Sequence, residues 1–139
     1  MFKTLVVNNS IAIGVHALLC GMTLLLVIAP LKLEHTGSVL LSIACTVVFL
    51  LLYYLSGRFI LRDTRSIWLN LVSVAFLAVV ILFGLTLASS EVILLPFYPA
   101  VVTLSYSDAP KVILQTLFVL MPVLPSLAMW LGITTKRAS

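Results

Sequence analysis

His16 and Cys20 stand four residues apart inside a long apolar run, so on a helix they share one face. Imidazole and thiol groups at that spacing can exchange a proton or begin a transition-metal site. A metal needs more ligands than two, and no second histidine or carboxylate falls at matching depth. No metal and no cofactor are therefore expected. An ionisable side chain within a membrane span is expensive, which makes His16 a candidate site by default. Asn70 and Ser73, one helical turn apart at the start of a later apolar run, are its expected hydrogen-bond partners. His16, Asn70 and Ser73 thus form the candidate intramembrane polar site. It is read as a neutral interhelical hydrogen bond ahead of a proton relay.

Cys45 lies in a second apolar run, and it would share the midplane with Cys20 if the first two spans formed an antiparallel hairpin. Neither cysteine belongs to a Cys-x-x-Cys pair, and neither has a cationic neighbour to favour the thiolate. Both are expected to be small packing residues. Catalytic patterns are missing as well. There is no Gly-x-Ser-x-Gly, no His-Glu-x-x-His and no pair of membrane-level aspartates. The acidic residues Glu34, Asp63, Glu91 and Asp108 all fall in or beside loops. No catalytic residue is assigned, and the chain is not expected to be an enzyme.

Three further groups of residues are candidates. Arg58, Arg62 and Arg65 would share one side if the second helix ran through them, for contact with anionic lipid headgroups or a partner. Pro122 and Pro125 remove two intrahelical donors and predict a helix kink. Glu91, Pro96, Tyr98, Pro99, Tyr106 and Asp108 mark a candidate site in an apolar, proline-bearing outer segment.

The elements that carry these residues follow from composition. The chain has 139 residues, 63% hydrophobic and only 9% charged, with a mean hydropathy of +1.29. A soluble domain carries about a quarter charged residues, so most of this surface is predicted to face lipid. The length allows one domain, 1–139. The net charge of +4 comes from residues scattered at the ends of apolar runs, which suits a membrane surface and not nucleic acid.

Four runs approach the ~20 apolar residues that a helix needs to span the hydrocarbon core. They are 11–31, 39–55 (extending toward Leu61), 67–88 and 112–133. The first is too long for a signal-peptide core and lacks a small-x-small exit, so it stays as an anchor. With the N-terminus inside, Lys3, Arg58, Arg62, Arg65, Lys136 and Arg137 are cytoplasmic, and only Lys32 and Lys111 are outside. That charge bias predicts an N-in/C-in topology. Trp68 and Trp130 then fall toward the cytoplasmic interface. Segment 92–104 is too short to span and is broken by Pro96 and Pro99, so it is expected to be interfacial or re-entrant. Asn8-Asn9-Ser10 is expected to cap the first helix. Small residues recur four apart at Ser10–Gly14, Ala17–Gly21, Ser38–Ser42–Thr46, Gly84–Ala88 and Ala128–Gly132, and such patches let helices approach closely in lipid.

The fold expected is an all-α integral membrane protein, a four-transmembrane-helix bundle. The function expected is that of a non-catalytic accessory, regulatory or immunity-type subunit, partnered by the bilayer and by another membrane protein or a second copy. A transporter, channel or holin-like pore component is the rival, using the region around His16 and Gln115 with the proline-broken fourth helix. Short loops suit a multi-pass protein of a bacterial inner membrane.

Overall fold

In a long apolar run each peptide N–H and C=O must find its partner within the run, and the α-helix is the local solution. The computed structural model describes residues 2–23, 25, 39–87 and 120–136. Its helices are α1 (Phe2–Thr23), α2 (Val39–Phe59), α3 (Ile67–Leu87) and α4 (Leu124–Lys136). Among the described residues the fold is all-α, a four-helix bundle. Two helices, α1 and the stretch Ile67–Gly84 of α3, are long and apolar enough to cross a membrane, and Ala44–Phe59 of α2 is a shorter apolar helix.

Helix α1 is already regular at Phe2, well before the apolar run begins at Ile11. The Asn8-Asn9-Ser10 cap is therefore corrected: the three residues lie in the helix interior, and Asn8 is fully buried. Helix α2 ends at Phe59, so Arg62 and Arg65 do not continue its face as expected. They stand in the non-helical connection to α3. Pro125 is the second residue of α4, where a missing N–H costs no intrahelical bond. Before it, Met121–Val123 is a turn in which Val123 N–H donates to Leu120 O at 2.9 Å. The proline pair thus sits at a helix start, and residues 112–119 lie outside the described residues.

Hydrogen bonds fix the directions of the helices. The beginning of α1 meets the α2–α3 connection through Asn8 and Arg62. The middle of α4 meets the beginning of α3 through Trp130 Nε1–H and Ile67 O, 3.1 Å apart. The ends of α2 and α4 meet through Tyr54 Oη and Thr135 Oγ1, 2.9 Å apart. Helices α1 and α3 therefore run away from this end of the bundle, and α2 and α4 run toward it. Packing links α1 to α3, α3 to α4 and α4 to α2, while α1 touches α2 only lightly. The α1–α2 hairpin, on which a shared depth for Cys20 and Cys45 was conditional, is not a principal packing pair.

The closest crossing is that of α2 with α4. A Cβ built on Gly57 would fall on the Met129 carbonyl, and one on Gly132 would fall on the Tyr54 carbonyl. Backbone lies against backbone there, and only glycine leaves room. Gly14 and Gly21 of α1, by contrast, have no atom within 4 Å of a Cβ position. The core between the helices holds Leu19, Phe49, Tyr53, Val74, Leu77, Ile81, Met129 and Ile133.

Gly57→Ala and Gly132→Ala are each expected to destabilise the bundle by about 1–3 kcal/mol through overpacking. Gly14→Ala should be neutral or stabilising by up to ~1 kcal/mol, the helix-propensity gain. Unfolding in mild detergent followed by circular dichroism measures both, and equal effects at Gly14 and Gly57 would contradict the close crossing.

Candidate functional site

Two adjacent asparagines in the second turn of α1 tie three parts of the chain together. Asn8 pairs with both backbone polar groups of one residue, Arg62. Its Nδ2–H donates to Arg62 O at 2.8 Å, and Arg62 N–H donates to its Oδ1 at 3.1 Å. Nδ2 also lies 3.3 Å from Ser73 Oγ on α3. Asn9 grips α3 itself in a similar way. Its Nδ2 donates to Val72 O at 3.3 Å, and its Oδ1 accepts from Phe76 N–H at 3.2 Å. These backbone groups are one helical rung apart, so the amide brackets a rung of α3.

The connection itself is built around Asn70. Its Oδ1 accepts from Thr64 N–H at 2.9 Å and from the Thr64 hydroxyl at 2.7 Å. Its Nδ2–H donates to Asp63 Oδ1 at 2.8 Å, and the same oxygen accepts Arg65 N–H at 2.9 Å. The Asp63 carboxylate thus closes an Asx turn that holds Arg65 at φ 64°, a left-handed conformation unusual without glycine. Ser73 completes the layer by donating to Asn70 O at 2.8 Å.

His16 is not part of this layer. It lies two helical turns further along α1, about 12 Å from Asn8 at the helical rise. Its partner is Tyr53 of α2: Nδ1 and Oη are 2.6 Å apart, and the rings stack with centroids 6.0 Å apart. Nε2 faces Cys20 Sγ at 3.6 Å. When the tyrosine hydroxyl donates to Nδ1, Nε2 carries its proton toward sulfur; the other tautomer reverses both bonds. His16 and Tyr53 are buried. A thiol, an imidazole and a phenol in a row can pass a proton among themselves. No group of three metal-ligating side chains occurs among the described residues.

The sequence-predicted trio is therefore divided. Asn70 and Ser73 join Asn8, and His16 joins Tyr53. In the sequence Asn8 and Asn9 stand out only as a helix cap and Tyr53 not at all, yet Asn8, Ala12, His16, Leu19 and Thr23 share one helix face and are the buried residues of α1. Their spacing was a visible signal. Cys20 and Cys45 are free thiols, each half-buried. Arg62 and Arg65 are exposed, and Arg58 is partly covered, its Nη1 donating to Tyr54 Oη at 3.3 Å. Pro122 and Pro125 are buried. Glu91, Pro96, Tyr98, Pro99, Tyr106, Asp108 and Gln115 lie outside the described residues, as does segment 92–104.

Among the described residues every buried side-chain nitrogen or oxygen has a hydrogen-bond partner. Ser126 of α4, for example, donates to Val74 O of α3 at 2.9 Å. Compared with known proteins, the chain matches no family model, no curated protein and no solved structure.

Asn8→Ala strands both backbone polar groups of Arg62, and about 2 kcal/mol or more of stability should be lost. Asn9→Ala should cost less, because Val72 O and Phe76 N–H can bond each other. Detergent unfolding of the two variants tests the ranking, and a larger loss at Asn9 would reverse it. A double-mutant cycle of His16→Leu with Tyr53→Phe should give a coupling of about 1 kcal/mol, and no coupling would remove the pair as an interhelical link.

Proposed function

We propose that this chain is a small polytopic membrane protein with four spans and both ends in the cytoplasm, acting without catalysis by packing against a membrane partner. One observation carries the reading: large apolar side chains stand on the outside of the bundle while polar ones are withdrawn into its apolar core. Large apolar side chains stand exposed around the helices, among them Leu18 at 61%, Trp68 at 76%, Phe76 at 53% and Phe83 at 63%. Asn8, His16, Thr23, Asn70, Ser73 and Ser126 are buried. Water would favour the reverse arrangement, and lipid favours this one.

The topology rests on charge as well. The bundle end that carries the α2–α3 connection also carries the start of α1 and the end of α4. It therefore gathers Lys3, Arg58, Arg62, Arg65 and Lys136, as the positive-inside rule requires of a cytoplasmic face. The partner reading draws on α1. Ser10, Gly14, Ala17 and Gly21 are all exposed and share one helix face, opposite the buried Ala12, His16 and Leu19. Small residues on an outward face let another helix approach, which in lipid is the main route to association.

The chain should remain in the membrane pellet after carbonate washing, and tags at both ends should be accessible only from the cytoplasm. Release into the wash would overturn the membrane reading. Crosslinking in mild detergent should then recover a stoichiometric partner with the native chain and lose it with Gly21→Leu, where no described atom beyond the helix's own backbone comes within 4 Å of an added Cβ. Equal recovery with both chains would remove α1 from the contact.

A further inference from the structure

Because α1 touches α2 only lightly, a furrow opens between them on the outside of the bundle. It is walled by Ile11, Gly14 and Leu18 of α1 and by Leu52, Ser56 and Ile60, at the end of α2. We propose that this furrow seats one acyl chain of an anionic phospholipid from the cytoplasmic leaflet, with Arg62 at its mouth to meet the phosphate. The inference rests on the membrane reading above.

Dimensions support the chain. The furrow follows α1 from Ile11 to Met22, about 16 Å at 1.5 Å per residue. Half of a ~30 Å hydrocarbon core is one leaflet deep, so the length matches a single acyl tail. The furrow offers about 450 Å³, within the ~300–1,000 Å³ of small-ligand sites. Its polarity excludes other guests. The Ser56 hydroxyl is already donated to Leu52 O at 2.8 Å, which leaves a hydrocarbon wall that would not hold water.

Charge complementarity supports the headgroup. Ile60 lies two residues before Arg62, and Ile11 lies less than a turn beyond Asn8, whose amide grips the Arg62 backbone. The mouth of the furrow and the backbone of Arg62 are thus held together. The Arg62 side chain is exposed, and Arg58 and Arg65 flank it in sequence. An arginine fixed by its own backbone at the leaflet surface is suited to a phosphate. A second protein helix fits the furrow less well. Close helix approach needs small residues, and of those on α1 only Gly14 lines the furrow, whereas Ile11, Val15, Leu18 and Leu52 leave a slot for a narrow flexible chain.

The test uses the full chain purified in mild detergent, with phosphatidylglycerol or phosphatidylcholine added and retention read by native mass spectrometry. The native chain should retain one phosphatidylglycerol with about a fivefold preference over phosphatidylcholine. Arg62→Gln should remove that preference. Leu18→Trp, at a position already largely exposed, should lower retention of both lipids by filling the furrow; Ser56→Phe does the same from the opposite wall. Equal retention of the two lipids by the native chain overturns the proposal. So does unchanged retention in both furrow variants, or a second copy of the chain in place of the lipid. Carbonate washing separates the two failures: a chain that stays in the membrane but shows no lipid preference loses only this inference.

Discussion

A peptide unit that leaves a helix needs new partners for its N–H and C=O, and the connection between α2 and α3 leaves several such units. The Asn8 amide supplies them at Arg62 by presenting a donor and an acceptor side by side, so that both backbone groups of that residue bond to a side chain as they would to a neighbouring strand. Much of this end of the bundle depends on that exchange. It fixes α1 against the connection, brings Ser73 within reach and sets the depth of α1 relative to α3. Asn70 does equivalent work for Thr64 and Asp63. An unsatisfied amide in low dielectric is costly enough that the two asparagines select one arrangement over its neighbours.

The second constraint is steric. Helices α2 and α4 meet where Gly57 and Gly132 let main chains touch, and the contact is reinforced at its end by Tyr54 and Thr135. Association of helices in lipid gains nothing from hiding hydrocarbon, so it depends on such close contact and on interhelical hydrogen bonds. The bundle uses both in different places: glycine crossing for α2 with α4, and amide and hydroxyl bonds for α1 with α3 and α3 with α4.

The helical class was legible because long apolar runs leave little choice. Partners were not. Asn8-Asn9-Ser10 ahead of an apolar run looks like a cap, and only the face it shares with Ala12, His16, Leu19 and Thr23 gives its interior role away. His16 was visible as costly, but its partner was not, since Tyr53 and Tyr54 are adjacent in sequence and point to different helices. Gly57 was hidden by its place beside the basic connection, whereas Gly132 belonged to a recognisable small-residue pair. Which small-residue faces meet inside the bundle and which face outward depends on three-dimensional helix order, and chain order misleads here because α1 does not pair chiefly with α2.

The grip of Asn8 on Arg62 joins positions 54 apart in the chain, and that separation sets a clock. At ribosomal rates of about 5–20 residues per second, the earlier residue waits roughly 3–10 s for its partner to be made. During that interval Asn8 and Asn9 must be solvated by something else, and their place near the start of α1 keeps them where water or headgroups can serve. Their withdrawal from that solvent is therefore a late event, in which the seat of α1 is completed only after α2, the connection and the first turns of α3 exist.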